Sequence, residues 1–77
     1  MPRYFFHVID SRAILDTEGV ELPGITEARD QAIRAGGDIL VSEGDKFWDR
    51  GKWQMSVADE SGKVHFTLNF SADTHEA

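Results

Sequence analysis

Histidine, serine and carboxylate side chains are what this 77-residue chain offers for chemistry, and their spacing limits what each can do. His7 and His65 lie in strand-like runs at opposite ends of the sequence. Adjacent strands could bring them onto one sheet face, where two imidazoles and one Asp or Glu would hold a transition metal. No pair of ligands four residues apart on a helix supports such a site, and a His on a polar sheet face needs no special role. We therefore expect neither a metal nor a cofactor. His75 falls in a polar tail. Ser11, Ser42, Ser56, Ser61 and Ser71 sit in no Gly-x-Ser-x-Gly elbow, and no Ser-His-Asp order is present.

Asp16, Glu18 and Glu21 form the densest carboxylate group. A carboxylate pair can serve as acid and base, but it needs a cleft, and a domain this small offers little concavity. A solvated acidic edge that deters sheet-to-sheet association is the plainer reading. Lys46, Phe47, Trp48, Arg50, Lys52 and Trp53 mix basic and aromatic residues in the way that single-stranded nucleic-acid sites do. Asp45 and Asp49 cancel part of that charge. Phe47 or Trp48 is better explained as a lid on the apolar core, and nucleic acid is not an expected partner. Phosphate loops and dinucleotide fingerprints are absent.

The whole chain carries 8 Lys or Arg against 14 Asp or Glu, a net charge of -6 that repels phosphate backbones. Cysteine is absent, which excludes disulfides and thiolate metal sites. No apolar run approaches the roughly 20 residues that cross a bilayer, so no membrane contact is expected. The start, Met1-Pro2-Arg3-Tyr4, lacks the apolar block of an export signal, and a cytoplasmic protein is the expectation. One domain over residues 1–77 is expected, with a tail from about 71 to 77 polar enough to fray. Such a chain buries only about 60% of its unfolded surface, and self-association is one way to stabilise it.

The elements that must position these side chains follow from periodicity. Arg3 to Ile9 reads as a strand, with Tyr4, Phe6 and Val8 on one face and Phe5, His7 and Ile9 on the other. Both faces are largely apolar, which suggests a central strand. A weaker second strand covers Ala13 to Leu15 or Val20 to Leu22, with an irregularity near Asp16 to Gly19. Ile25, Ala28, Ala32, Ala35 and Ile39 form a helical stripe capped by Gly24, with Glu27 in the first turn and Gly44 as a stop. Gly36-Gly37 interrupts that stripe; either the helix breaks there or a bulky aromatic needs the gap. The stripe stays in phase to Ile39, which favours one helix. Asp45 to Gly51 reads as a loop.

Lys52 to Asp59 and Lys63 to Phe70 alternate as a hairpin. Setting Val57 opposite Val64, Met55 opposite Phe66 and Trp53 opposite Leu68 gathers the large apolar groups. That register needs an even loop at Glu60-Ser61 rather than a bulge at Gly62. The expected fold is α+β: a two-layer ββαββ arrangement, with a four-stranded, mainly antiparallel sheet and one helix packed on one face.

Several of these segments resemble a known family. Pro2-Arg3-Tyr4-Phe5-Phe6-His7-Val8, Asp16-Thr17-Glu18-Gly19-Val20-Glu21-Leu22-Pro23, Glu27-Ala28-Arg29 and Val57-Ala58-Asp59-Glu60-Ser61-Gly62-Lys63-Val64 are similar to a bacterial domain-of-unknown-function family of DUF6894 type, found mostly in rhizobia and related alphaproteobacteria. The resemblance implies a cytoplasmic bacterial protein of this layout. It implies no reaction, cofactor or binding residues, since none is assigned to the family. Gly24 replaces the family's usual capping Ser or Asp, and Gly36-Gly37 stands where alanines are commoner. A looser similarity links the Glu21-Leu22-Pro23-Gly24 turn and the acidic helix after it to HicB-type antitoxins, which block a toxin that cuts RNA.

No residue cluster here spells out a reaction. The expectation is a non-catalytic protein-interaction or homodimerisation module. It would use the sheet face turned from the helix, with Phe5, His7, Ile9, Gln54, His65 and Thr67 on it. A HicB-like antitoxin is the alternative, and an enzyme ranks last.

Overall fold

A computed structural model describes residues 1–10 and 12–75. Ser11, in the expected turn and among the serines considered above, and the tail residues Glu76 and Ala77 lie outside it. In chain order the elements are β1 (Arg3–Ile9), β2 (Ala13–Ile14), β3 (Val20–Glu21), α1 (Ile25–Ser42), α2 (Gly44–Arg50), β4 (Lys52–Asp59) and β5 (Val64–Ser71). The fold is α+β with an antiparallel sheet, but the described residues form five strands and two helices in place of the expected four and one. No helix among the described residues is long and apolar enough to cross a membrane.

The sheet order is β2-β1-β4-β5, with β3 also paired to β1. β1 is thus internal, as its two apolar faces imply. Both candidates for the second strand form. β2 lies along the far half of β1 (Val8 opposite Ile14) and β3 along the near half (Tyr4 opposite Val20). Between them Asp16 takes over the pairing: its Oδ2 accepts the Phe6 N–H at 3.1 Å, where a strand carbonyl would otherwise sit. A single edge strand is therefore split in two by one carboxylate.

The inner face is built as the alternation requires. Tyr4, Trp53, Met55 and Val57 are buried with Ala28 and Ala32 of α1, and Phe6, Val8, Phe66, Leu68 and Phe70 pack around them. Met55 and Val57 are almost fully enclosed, each contributing about 1.5–3 kcal/mol by leaving water. α1 runs unbroken through Gly36-Gly37. A Cβ on Gly36 would lie 2.7 Å from Phe70 Cζ, so that glycine admits the ring, which stacks on Trp53 with centroids 4.3 Å apart. Gly37 has no such neighbour.

Asp45 to Gly51 is not the loop its short pattern suggests. Asp45 in the first turn and Arg50 in the last suit the helix dipole, and Gly51 at φ 80° closes α2 with its N–H on the Phe47 carbonyl. Seven residues are too few for a readable apolar stripe. At the far end, β5 runs through Ser71, and the Ala72 N–H donates to the Gly51 carbonyl.

The hairpin keeps its expected faces but not its expected register. Val57 lies opposite Phe66, Met55 opposite Leu68 and Trp53 opposite Phe70, two residues further along than expected. The turn is the bulged one: Gly62 sits at φ 87°, its N–H donates to the Asp59 carbonyl, and the Asp59 N–H donates to the Lys63 carbonyl. Alone, that turn would set Val57 against His65. A second irregularity between Val57 and Ala58 absorbs one residue of β5 and returns Phe66 to the core. Local turn chemistry and side-chain burial are both satisfied, at the cost of a bulge.

Candidate functional site

The sheet face turned from α1 is assembled from three strands. Pairing sets Phe5 opposite Ala58, His7 opposite Ser56 and Ile9 opposite Gln54, while Ser56 lies opposite Thr67 and Gln54 opposite Asn69. Five of the six expected face residues, Phe5, His7, Ile9, Gln54 and Thr67, therefore share it. The rings of Phe5 and His7 stack, 6.4 Å apart and 10° from parallel. Ser56 and Thr67 hydroxyls lie 3.2 Å apart. Phe5, His7 and Ile9 are half-buried, and Gln54, Thr67 and Asn69 are exposed.

His65 is the exception. The residue absorbed by the bulge turns its ring to the side of Tyr4 (5.9 Å, edge-on), and its Nε2 lies 2.8 Å from Asp59 Oδ2. Strict alternation would have kept it with Thr67; the bulge removes it. The two histidines thus have separate partners. No group of three or more His, Cys, Asp or Glu among the described residues is arranged to hold a metal ion.

The Asp16–Gly19 loop borders the face at Phe5 and His7. Gly19 takes φ 74°, and a Cβ there would lie 2.9 Å from the Phe5 ring. Asp16 Oδ1 accepts the N–H groups of Glu18 and Gly19, both at 3.0 Å, while its own N–H donates to His7 Nδ1. That contact places the proton of a neutral His7 on Nε2, facing away from the loop. Partial burial raises the Asp16 pKa, but the N–H groups of Gly19, Phe6 and Glu18, with His7 nearby, outweigh it and hold the carboxyl below its ordinary 3.8. Asp16 is therefore an organiser of the edge. Its signal in the sequence is Asp16-Thr17-Glu18-Gly19, an Asx-type turn. Glu21 is spoken for by Arg3, at 2.8 Å. Asp16 and Glu21 are thus each committed to their own partners.

Asp59 organises the hairpin tip in the same way. Its Oδ1 accepts the Ser61 hydroxyl (2.6 Å) and the Ser61 and Lys63 N–H groups. The Ser61 hydroxyl first, then His65 and the backbone donors, hold its pKa well below 3.8 against a smaller opposing effect of burial.

Between the helices and the sheet lies a cavity of about 50 Å³, lined by Val8, Ile14, Ile39, Phe47 and Trp53 beneath a charged rim. Small-molecule sites are usually about 300–1,000 Å³, so this one is too small to enclose such a ligand. A larger, open depression of about 490 Å³ lies over Ile9, Asp10, Arg50, Lys52, Trp53 and Gln54 and merges with the open face. The basic-aromatic segment resolves into separate roles. Phe47 packs on the core as the lid, Trp53 is buried, Lys46 pairs with Glu43, and Arg50 pairs with Asp10. Of the segment's three aromatic residues, Trp48 is the exposed one, at 63%.

Comparison with known proteins agrees with the residue pattern. The family model described as Domain of unknown function (DUF6894) matches residues 3–71. No curated protein matches the chain. No solved structure matches it. The match runs from the first residue of β1 to the last of β5, and the chain belongs to that family.

Proposed function

We propose that this DUF6894 member is a non-catalytic protein-interaction module of the bacterial cytoplasm, which receives a protein partner on the sheet face opposite α1. One observation supports the reading above the others. Phe5, stacked on His7, and Ile9 form an apolar strip on a face that carries no second layer among the described residues, beside polar and uncharged Gln54, Thr67 and Asn69. Exposed apolar surface framed by neutral polar groups is what a protein contact uses. The uncharged centre of this face, with Lys52 at its rim, also matters in a chain of net charge -6, because it lets another protein approach without local repulsion.

Photo-cross-linking tests this. A photoreactive residue at Gln54 or Thr67 is compared, in the native cell, with one at Asp38 on the exposed side of α1. We expect one defined protein adduct at Gln54 and Thr67 that Phe5→Asp removes, and none at Asp38. Equal adduct patterns at all three positions refute the assignment.

A further inference from the structure

The two edges of the sheet are treated oppositely. On one side β1 is covered by β2 and β3, each only two residues long, with the Asp16 carboxylate filling the gap between them. On the other, eight-residue β5 pairs with β4 alone among the described residues. Natural edges of that length are normally blunted by Lys, Pro or a covering loop. Val64-His65-Phe66-Thr67-Leu68-Asn69-Phe70-Ser71 contains no Lys, Arg, Asp, Glu or Pro.

The free hydrogen-bonding groups can be assigned. The Ala72 N–H donates to the Gly51 carbonyl at 2.8 Å, and bonded pairs recur every second residue in an antiparallel ladder. Trp53 with Phe70, Met55 with Leu68 and Val57 with Phe66 are then bonded pairs. The N–H and C=O groups of Thr67, Asn69 and Ser71 consequently point outward.

We propose that this edge pairs with β5 of a second copy of the chain, antiparallel and centred on Leu68, to make one continuous sheet across a two-fold axis. In that register Thr67 of each copy exchanges backbone hydrogen bonds with Asn69 of the other. Phe66 faces Phe70 and Leu68 faces Leu68 on the inner side, so apolar residues meet apolar ones. Exposed Lys63 of one copy falls opposite exposed Asp73 of the other at both ends, whereas the nine residues between carry no carboxylate or fixed positive charge to repel their like.

The helix layer fits the same axis. Ile39 lines the cavity on the Val8 and Ile14 side, while Gly36 lies over Phe70 of β5. At about 3.6 residues per turn, Leu40, Ile33 and Gly37 continue round α1 beyond Gly36, on the β5 side. Ile33 is 64% exposed there. β5 is about 26 Å long and α1 about 27 Å, so the edge presents two layers of matching length. Across a molecule 19 Å deep on its shortest axis, that is roughly 500 Å² in projection, enough with surface relief to approach the ~800 Å² per partner of a standard interface.

The test uses the full chain in sedimentation equilibrium over a wide concentration series, with amide hydrogen exchange on the same samples. We expect a dimer, in which the Thr67 and Asn69 amides become protected as concentration rises. Asn69→Pro removes one outward donor at a position where an edge strand tolerates proline, and should raise the dimer dissociation constant about tenfold or more. Ile33→Glu should weaken the dimer without touching the strand, and Phe5→Asp should leave it intact. A chain that stays monomeric throughout overturns the proposal. So does a dimer whose Thr67 and Asn69 amides exchange as freely as in dilute solution. Either result leaves the Gln54 cross-link of the open face unaffected, so the two readings fail separately.

Discussion

Gly36 and Gly37 are chemically identical neighbours whose replacement by alanine should have opposite effects. Each Gly→Ala change in a helix interior is worth about 1 kcal/mol in propensity. At Gly37 nothing lies within 4 Å of the added Cβ, so Gly37→Ala should stabilise by up to ~1 kcal/mol. At Gly36 the Cβ would lie 2.7 Å from Phe70 Cζ and 3.3 Å from its Cε2. Phe70 cannot swing aside freely, because its other face stacks on Trp53 at 4.3 Å. Overpacking costs about 1–3 kcal/mol and a disturbed stack about 0.5–1.5 kcal/mol. After the propensity gain, Gly36→Ala should still lose about 1–2 kcal/mol. The variants should therefore differ by about 2–3 kcal/mol, more than 8 °C in melting temperature for a domain this small. Urea unfolding followed by far-ultraviolet circular dichroism, at one low protein concentration to suppress association, measures both. A Gly36→Ala variant as stable as Gly37→Ala would refute the claim that Phe70 occupies the helix gap.

Other perturbations follow from the same contacts. Met55→Ala, at an almost fully buried position, should cost about 2–5 kcal/mol in urea unfolding; Phe66→Ala, half-exposed, should cost less. Asp16→Ala orphans the Phe6, Glu18 and Gly19 N–H groups and should cost about 1–3 kcal/mol, with faster hydrogen exchange at the Phe6 amide. Asp16 and Asp59 both have folded pKa values below the ordinary 3.8. The unfolded chain therefore takes up their protons first as pH falls. Their contribution is complete above 3.8 and is lost as pH drops through the lower folded values. The urea midpoint should thus be flat near neutrality and decline in acid, with a shallower decline in Asp16→Asn and Asp59→Asn. Gly62→Ala forces φ 87° on a residue with a Cβ and should cost about 1–2 kcal/mol in the same assay.

Faces were legible in the sequence and registers were not. Two-residue periodicity fixes which side Trp53, Met55, Val57, Phe66, Leu68 and Phe70 take, because burying them is worth several kcal/mol together. It cannot choose between registers that differ by an even step, and two irregularities in the hairpin made that choice. The same bulge carried His65 away from the open sheet face that alternation assigned it. The split of the edge strand depended on Asp16 receiving the Phe6 N–H, a contact ten residues apart in sequence that no local pattern announces. α2 was hidden by its shortness, although Asp45, Arg50 and Gly51 mark its ends. Gly36 was readable as a gap for an aromatic ring; that the ring belongs to Phe70 required the tertiary fold.

Thiol labelling tests the central claim, a sheet covered by α1 on one side and open to a partner on the other. The chain has no cysteine of its own, so single introduced thiols report without background. In purified dilute protein, Gln54→Cys should react as fast as an unfolded thiol, and Met55→Cys should stay protected until the domain unfolds. In native cells, the Gln54 thiol should be slowed while one at Asp38 is not. Equal protection at positions 54 and 55 in the purified protein, or equally fast reaction at 54 and 38 in cells, would contradict the account.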